Sequence, residues 1–524
     1  MQAIAFDNSY ARLPDGFFVR QDPVAVERPT LVKLNARVAK LLNLDETFLT
    51  SDDGVNLLAG NLVPEKAEPL AMAYAGHQFG GWAPQLGDGR AILLGELIGN
   101  DGIRYDIQLK GAGRTPFSRA GDGRAWIGPV LREYLLSEAM HSLNIASTWS
   151  LAAVSTGEAV LRESYMPGAL LVRVAKSHIR IGTFEFFAAR GMHKELEVLT
   201  HYVIERFYPA AKNADNPALA LLQAVSKSTA ELVAKWQCVG FIHGVMNTDN
   251  INVSGETIDY GPCAFMDDYQ ADKVFSSIDM HGRYAYRNQP GIAQWNLAVL
   301  AQSLMPLISS DESDALQLAQ ACINTFPDTY KSFYLKGLRH KLGLYDSHDN
   351  DLALGSDLFD IMERGKADFT LTFRYLSRLA GLGLSASDLV NNTATKSDDP
   401  KTVDHTASTN NPSNALDEFL DLFKSSDSAG EEARHWIAQW LDRLSLESIS
   451  PDERSQRMCA CNPLVIPRNH NVEEAIAAAV QSDFSVFENL LSAITDPFSD
   501  AQLERNCHIP PTSAQTVLQT FCGT

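Results

Sequence analysis

A polar run near the middle of the chain has the residue types of a site for a metal and a phosphate. Asn250 and Asp259 flank a short turn from Asn252 to Glu256. Amide and carboxylate oxygens are hard ligands that Mg²⁺ prefers, usually together with the phosphate oxygens of a bound substrate. The pair therefore predicts a magnesium–nucleotide site. The alternative is a polar surface hairpin in which Asp249 and Asn250 only form a turn.

The order of these residues matches that of protein kinases, in which a His-Arg-Asp-x-x-x-x-Asn loop precedes Asp-Phe-Gly. One position departs from that pattern. The kinase base stands five residues before the metal-binding Asn, and this position is Val245 here. Valine cannot accept a proton, which argues against kinase chemistry in its usual form. Asp249 is the nearest carboxylate that could orient or deprotonate a nucleophile.

Two turns upstream have residues that could hold phosphates. Gly87, Gly89 and Arg90 lie in a turn that connects a glycine-rich segment to a predicted strand. Glycines let backbone N–H groups approach phosphate oxygens, and the arginine adds positive charge. Asp122 and Gly123 form a second turn before a predicted helix. Taken alone, each turn is also consistent with an ordinary hairpin.

Four charged residues could complete a nucleotide site. Lys110 ends a predicted strand and Glu133 begins a predicted helix, an order in which kinases pair a lysine with a glutamate to aim the lysine at phosphates. An ordinary surface ion pair is the alternative. Arg173 lies within an apolar strand, and Arg180 follows it. An arginine buried among apolar residues needs a carboxylate or a phosphate as its partner.

The elements that must position these residues change from strands to helices along the chain. Residues 90–110 predict a β-hairpin around an Asn-Asp-Gly turn, and residues 169–175 predict another strand. A helix is predicted over residues 129–143 and a long amphipathic helix over residues 217–239. Strands followed by helices indicate an α+β class, and a two-lobed protein-kinase-like fold has this order.

The predicted domain organisation follows from the same pattern and from composition. Residues 391–414 are rich in Asn, Thr, Ser and Asp, which is typical of a flexible linker or insertion. The predicted parts are an N-terminal extension (1–60), a kinase-like N-lobe (61–190), a helical kinase-like C-lobe (191–390), the linker or insertion (391–414) and an additional C-terminal helical region (415–524).

Bulk properties narrow the class of partners. The chain of 524 residues has a formal net charge of −20, so neither nucleic acid nor an anionic membrane surface is an expected partner. There is no apolar run long enough to span a membrane. The seven scattered cysteines are typical of a reduced, cytoplasmic protein. Cys459 and Cys461 have no second pair at the spacing of a zinc site.

Several long motifs resemble those of the selenoprotein O family, a group of pseudokinase-like protein adenylyltransferases. The resemblance is dense over residues 5–385 and thinner beyond them. The motifs are YAGHQFG (Tyr74–Gly80), QLGDGRAILLGE (Gln85–Glu96), QLKGAGRTPFSRAGDGRA (Gln108–Ala125), LREYLLSEAMHSL (Leu131–Leu143), SHIRIGTFE (Ser177–Glu185), GVMNTDN (Gly244–Asn250), TIDYGP (Thr257–Pro262) and GRYAYRNQP (Gly282–Pro290).

This resemblance implies a kinase-like fold in which ATP is inverted and presents its α-phosphate to a Ser, Thr or Tyr hydroxyl of a protein substrate. It implies Mg²⁺, with Mn²⁺ as the alternative, bound by Asn250 and Asp259. Asp249 would be the proton acceptor, and Glu133 would hold Lys110. It also implies a redox-active cysteine near the C-terminus, a position that Cys522 fits. The residues implied to bind ATP are Gly87, Gly89, Arg90, Lys110, Asp122, Gly123, Arg173, Arg180 and Asp259.

Three functions remain open from the sequence. The leading one is transfer of AMP from ATP to protein hydroxyls. The second is transfer of the γ-phosphate, against which Val245 argues. The third is a non-catalytic ATP-binding scaffold, against which the set of Asp249, Asn250 and Asp259 argues, since a scaffold has little need for two metal ligands and a base.

Overall fold

The structure is a computed structural model that describes residues 4–391, 412–423 and 426–520. It combines an antiparallel sheet, formed within the first third of the chain, with helices that form most of the remainder. The predicted mixture of helix and strand, with strands first, is confirmed. Within the described ranges, no helix is both long enough and apolar enough to cross a membrane.

The main sheet has eight strands in the order β1-β3-β6-β7-β10-β9-β2, and β8 pairs with β10 at one side. Two smaller pairs, β4 with β5 and β11 with β12, lie outside it. The strands are β1 (Phe18–Arg20), β2 (Thr30–Leu34), β3 (Leu70–Met72), β4 (Gly76–Gln78), β5 (Gly81–Ala83), β6 (Ala91–Ile98), β7 (Arg104–Lys110), β8 (Ala125–Trp126), β9 (Trp149–Leu161), β10 (Tyr165–Ala175), β11 (Phe241–Ile242) and β12 (Ala264–Phe265).

The central strands bring the predicted phosphate-binding residues together. β6 and β7 form the predicted hairpin, whose register places Ala91 opposite Lys110. On the other side of β7, β10 places Arg173 opposite Gln108. Side chains two residues apart along a strand lie on the same face, so Lys110, Gln108 and Arg173 share one face of the sheet.

Most of the helices follow this sheet in the chain. Their bounds are α1 (Ala36–Leu41), α2 (Glu46–Leu49), α3 (Asp52–Leu58), α4 (Ile127–Ser142), α5 (Ile181–Ala188), α6 (His193–Phe207), α7 (Pro217–Cys238), α8 (Gln289–Ile308), α9 (Glu312–Asn324), α10 (Phe326–Lys341), α11 (Asp351–Gly365), α12 (Phe369–Gly381), α13 (Ala386–Asn391), α14 (Pro412–Asp421), α15 (Asp427–Leu444), α16 (Pro451–Cys459), α17 (Asn469–Val480) and α18 (Ser485–Ile494).

Helix α7 illustrates how the local sequence sets an element. Its N-cap, Asn216, accepts a hydrogen bond from Leu219 N at 3.0 Å, and Pro217 occupies the first turn. Both are strong start signals, because the cap satisfies a free N–H and proline lacks one. The buried residues of α7 recur at helical spacing and pack into the core of the helical half.

The last two helices, α17 and α18, pack against the helix that carries Glu133. α17 and α18 pack on α4, where Tyr134 and Phe487 stack edge to face with ring centroids 5.7 Å apart. Arg132 of α4 donates to Asn469 Oδ1 at 2.8 Å and pairs with Glu473. The helix that carries Glu133 is therefore held in place by the end of the chain.

The predicted linker falls mostly on residues 392–411, which lie outside the described residues. Helix α13 ends at Asn391, and α14 begins at Pro412. Cys522 also lies outside the described residues.

Candidate active site

A cavity of about 460 Å³ lies where the sheet meets the helical half. Its size is within the range of small-molecule sites in proteins, about 300–1,000 Å³. All the site residues predicted from the sequence line it. They are Gly87, Gly89, Arg90, Lys110, Asp122, Gly123, Glu133, Arg173, Arg180, Asp249, Asn250 and Asp259.

The inner end of the cavity is a cluster of buried charges. Lys110 Nζ lies 2.7 Å from Glu133 Oε2 and 2.8 Å from Asp259 Oδ1. Arg173 lies 2.6 Å from Glu133 Oε1 and 2.7 Å from the same Asp259 oxygen. Each carboxylate thus contacts both cations, so Glu133 aims Lys110 and Arg173 at the position of Asp259.

These contacts determine the charge of the two carboxylates. Burial by itself raises the pKa of Asp259, but Lys110, Arg173 and Arg180 outweigh it and hold that pKa well below its usual value. Burial likewise opposes ionisation of Glu133, and Arg173 and Lys110 reverse the effect, so its pKa is also lowered. Both groups are therefore carboxylates at neutral pH. The backbone of Asp259 has a φ of 63°, in the left-handed region that a non-glycine residue seldom adopts.

Arg180 is buried beside this cluster but is only loosely paired. Its guanidinium lies 3.7 Å from Asp88 Oδ1 and 3.7 Å from Asp259 Oδ2, and it stacks on the ring of Tyr74 at 4.5 Å. Its Nε has no hydrogen-bond partner in the described structure. An incompletely satisfied buried cation is well suited to bind an anion.

Two loops close the outer end of the cavity. Gly87 adopts a φ of 125°, and a Cβ atom on it would lie 2.4 Å from the Phe117 ring, so only glycine fits there. Asp122 pairs with Arg162 at 2.8 Å. Arg90 is half-buried, and no carboxylate lies within ion-pairing distance of it among the described residues. This end therefore also carries positive charge.

Asp249 and Asn250 lie in a short 3₁₀ helix (Thr248–Asn250) at the inner end. Asn250 Nδ2 donates to Val245 O at 3.1 Å, which leaves its Oδ1 as a possible metal ligand. Gln78 Nε2 donates to Asp249 Oδ2 at 3.1 Å, while Asp249 Oδ1 is buried without a partner. Burial raises the pKa of Asp249 to about 6. The unsatisfied oxygen suits either a cation or a substrate hydroxyl.

The donor set fits Mg²⁺. Asn250 and Asp259 offer one amide and one carboxylate oxygen, and Mg²⁺ in nucleotide enzymes typically takes one or two protein oxygens and completes its octahedron with phosphates and water. Within residues 4–391, 412–423 and 426–520, no group of three or more His, Cys, Asp or Glu side chains has the arrangement of a metal site. Any metal here would therefore depend on the nucleotide for its remaining ligands.

Several further residues shape the site without having been assigned roles from the sequence. Gln78 and Tyr74 come from the YAGHQFG motif, whose hairpin β4–β5 packs on the Thr248–Asn250 turn through a 2.7 Å bond from His77 N to Thr248 Oγ1. Gln108 accepts from Arg173 and donates to Asp88. The motif that carries Gln78 was the only sequence signal available for this contact.

Comparison with known proteins identifies first the class and then the family. A relative from Rhizobium leguminosarum, named protein nucleotidyltransferase YdiU, is 53% identical over 523 residues, which is 100% of this chain and 98% of the relative. Proteins of the same name from Bradyrhizobium diazoefficiens and Rhizobium meliloti are each 51% identical, over 99% of both chains and 100% of both chains respectively. The class is thus that of nucleotidyltransferases.

The family model described as protein adenylyltransferase SelO matches residues 1–495. The chain belongs to this family and is an enzyme, a protein adenylyltransferase of the nucleotidyltransferase class.

Proposed function

We propose that this enzyme transfers AMP from ATP to Ser, Thr or Tyr hydroxyls of protein substrates, on a two-lobed kinase-like fold that binds ATP inverted relative to kinases. The observation that carries the proposal is the position of Asp249. Its Oδ1 is buried and unsatisfied in the cavity, whereas the kinase base position holds Val245, whose side chain has no acid or base. The acceptor hydroxyl would therefore bind next to Asp249, which would accept its proton.

The distribution of positive charge supports the inverted orientation. Lys110, Arg173 and Arg180 surround Asp259 at the inner end, and Arg90 lies at the outer end among the glycine turns. A triphosphate that extends outward toward Arg90 leaves its α-phosphate nearest to Asp249. The β- and γ-phosphates then leave together as pyrophosphate.

The proposed reaction is a displacement at the α-phosphorus. The substrate oxygen forms a bond to this atom, the bond from the α-phosphorus to the bridging oxygen of the β-phosphate breaks, and the hydroxyl proton passes to Asp249. Lys110, Arg173 and Arg180 stabilise the charge that develops on the phosphate oxygens. Mg²⁺, or Mn²⁺ in its place, would be held by Asn250 and Asp259 and would supply further charge neutralisation and orientation of the phosphates.

Labelled ATP tests the proposal directly. The protein is incubated with Mg²⁺ and with ATP that carries ³²P at either the α- or the γ-phosphate, and label bound to protein is counted. We expect α-label to become protein-bound and γ-label to leave as pyrophosphate. Protein-bound γ-label alone would show that the enzyme is a kinase, and the absence of both labels from protein would indicate an ATP-binding scaffold.

A second prediction concerns Gly76, which makes room for Asp249. A Cβ atom at Gly76 would lie 2.8 Å from Asp249 Oδ1 and 3.1 Å from Asp249 Cβ. Because a displacement of about 1 Å can cost roughly 100-fold in rate, we expect Gly76→Ala to lower α-label transfer by about 10–100-fold. Its ATP affinity, measured by calorimetry, should change little. The matched control is Gly430→Ala, where a Cβ meets nothing within 4 Å. Equal rates for both variants would contradict this account of Asp249.

A further inference from the structure

A second cavity, of about 720 Å³, adjoins the β4–β5 hairpin outside the nucleotide cavity. We call it the 278–292 groove, because most of its lining comes from the segment between Ile278 and Ile292, with Phe79 as the opposite wall. Gln78, the residue before Phe79, lines the nucleotide cavity and binds Asp249. Consecutive residues of one hairpin, Gln78 and Phe79, therefore line the two cavities.

The groove exposes large apolar side chains. Met280 is 87% exposed and Ile278 is 63% exposed. Single exposed apolar residues are common on protein surfaces, but two of them on a segment that lines a cavity next to an active site are typical of a binding surface.

The groove also carries two cationic side chains on an acidic chain. Arg283 and Arg287 line it together with a single carboxylate, that of Asp279, whereas the chain as a whole has a net charge of −20. Arg283 packs over the Trp295 ring at 4.7 Å, and no carboxylate among the described residues lies within ion-pairing distance of it. The carboxylate of Asp279 is instead occupied by the backbone N–H groups of Arg283 and Tyr284.

Arg287 is the more accessible of the two arginines. It pairs with Asp272 at 2.8 Å, and both side chains are more than half exposed. Exposed pairs of this kind contribute about 0–1 kcal/mol, so an acidic ligand can displace Asp272 at little cost.

Asn247, a residue of the active-site loop, binds both the β4–β5 hairpin and the segment between Ile278 and Ile292. Asn247 Oδ1 accepts from Phe79 N at 3.0 Å and from Tyr284 Oη at 2.6 Å. Asn247 precedes Asp249 by two positions, so a ligand in the groove has a defined register relative to Asp249.

We propose that the 278–292 groove binds the segment of the protein substrate that flanks the acceptor hydroxyl, and that it selects a segment with a large apolar side chain next to acidic ones. This inference rests on the proposed AMP transfer. The apolar residue packs against Met280, Ile278 and Phe79, and the acidic residues pair with Arg283 and Arg287.

Two peptides of equal length test the selection. Each has one tyrosine as acceptor, and its flank carries leucine with glutamates in the first peptide and leucine with lysines in the second. Transfer of α-label is measured below saturation, and peptide binding is measured separately by fluorescence anisotropy without nucleotide. We expect about 10-fold faster labelling and tighter binding of the glutamate peptide, since two or more charge contacts change sign.

Charge-reversed variants locate the effect in the groove. We expect Arg287→Glu to remove the preference and Arg283→Glu with Arg287→Glu to reverse it, while Met280→Ser weakens the binding of both peptides. The exposed residue Arg287 can be changed without disturbing the packing of Arg283, so its variant keeps the test informative if the double variant does not fold. Lys331→Glu on α10 and Leu316→Ser on α9 are matched controls at exposed positions, and they should leave the preference unchanged.

The two readouts separate this inference from the proposed function. Equal labelling and equal binding of both peptides, or a preference that survives charge reversal, would overturn the groove while leaving AMP transfer intact. A different outcome is selective peptide binding that reverses when the arginines are replaced by glutamate, with no transfer of α-label. This outcome would support the groove proposal and overturn the proposed function.

Discussion

Replacing Asp259 with alanine is expected to lower AMP transfer by about 10³-fold or more. The substitution removes a proposed metal ligand and the negative charge that lies beside Lys110, Arg173 and Arg180. Loss of several kcal/mol of charge stabilisation in the transition state corresponds to a rate effect of this size. The measurement is the initial rate of α-label incorporation into protein at millimolar Mg²⁺.

The same variant should also be less stable, which gives an independent check of the geometry. Removal of one partner from a buried ion cluster typically costs about 3–5 kcal/mol, and the lower end applies because the Asp259 side chain is 25% exposed. A matched control is Glu432→Ala, which breaks the exposed ion pair with Arg364 and should change the free energy of unfolding by less than about 1 kcal/mol. Full activity of Asp259→Ala at ordinary Mg²⁺ would show that the metal lies elsewhere.

Asp249→Ala is expected to lower the rate by about 10²–10⁴-fold, the usual size of general-base assistance. ATP affinity should be largely retained, because Lys110, Arg173 and Arg180 are unchanged. The readouts are the rate of α-label transfer and the nucleotide affinity from calorimetry. Gln78→Leu is an informative companion variant, because it removes the hydrogen bond from Gln78 Nε2 to Asp249 Oδ2 and should have a smaller effect on the rate.

Val245→Asp in the Asp249→Ala background tests whether the kinase base position can substitute. Val245 lines the cavity and accepts from Asn250 through its backbone oxygen. If ATP is inverted, a carboxylate at this position need not face the α-phosphate, and we expect no rescue. Restored activity with protein-bound γ-label, or a near-normal rate for Asp249→Ala alone, would assign the chemistry to a kinase mechanism.

Local signals account for much of the fold. The β6–β7 hairpin lies where its Asn-Asp-Gly turn predicts it, and α7 begins at the predicted residue, because Asn216 and Pro217 are helix-start signals that act within one turn. Helix α4 was predicted over residues 129–143 and spans Ile127–Ser142. Strand β9 (Trp149–Leu161) was not predicted, because its Ala, Ser and Gly residues have weak strand propensity and its pairing with β2 and β10 stabilises it.

The members of the site were accessible from the sequence because each lies in a recognisable turn, strand or loop motif. The contacts between these residues could not be predicted from the sequence. Gln78 meets Asp249 across 171 positions, and Arg132 meets Asn469 across 337. No periodicity or capping rule encodes pairings at such separations, since tertiary packing alone brings them together. The exposed apolar residues of the 278–292 groove were missed for a related reason, because exposure is not visible in a sequence.

The packing of α17 and α18 behind α4 affects when the enzyme can become active during synthesis. Chains fold progressively from the N-terminus as they leave the ribosome. The sheet and α4 emerge early, but Asn469, Glu473 and Phe487, which hold α4 from behind, emerge near the end. We therefore expect Glu133 to reach its final position, and to align Lys110, only once synthesis is almost complete. Nascent chains would therefore be inactive with ATP. A chain truncated before α17 would contain all the residues of the nucleotide site, but Glu133 and Lys110 would not be aligned.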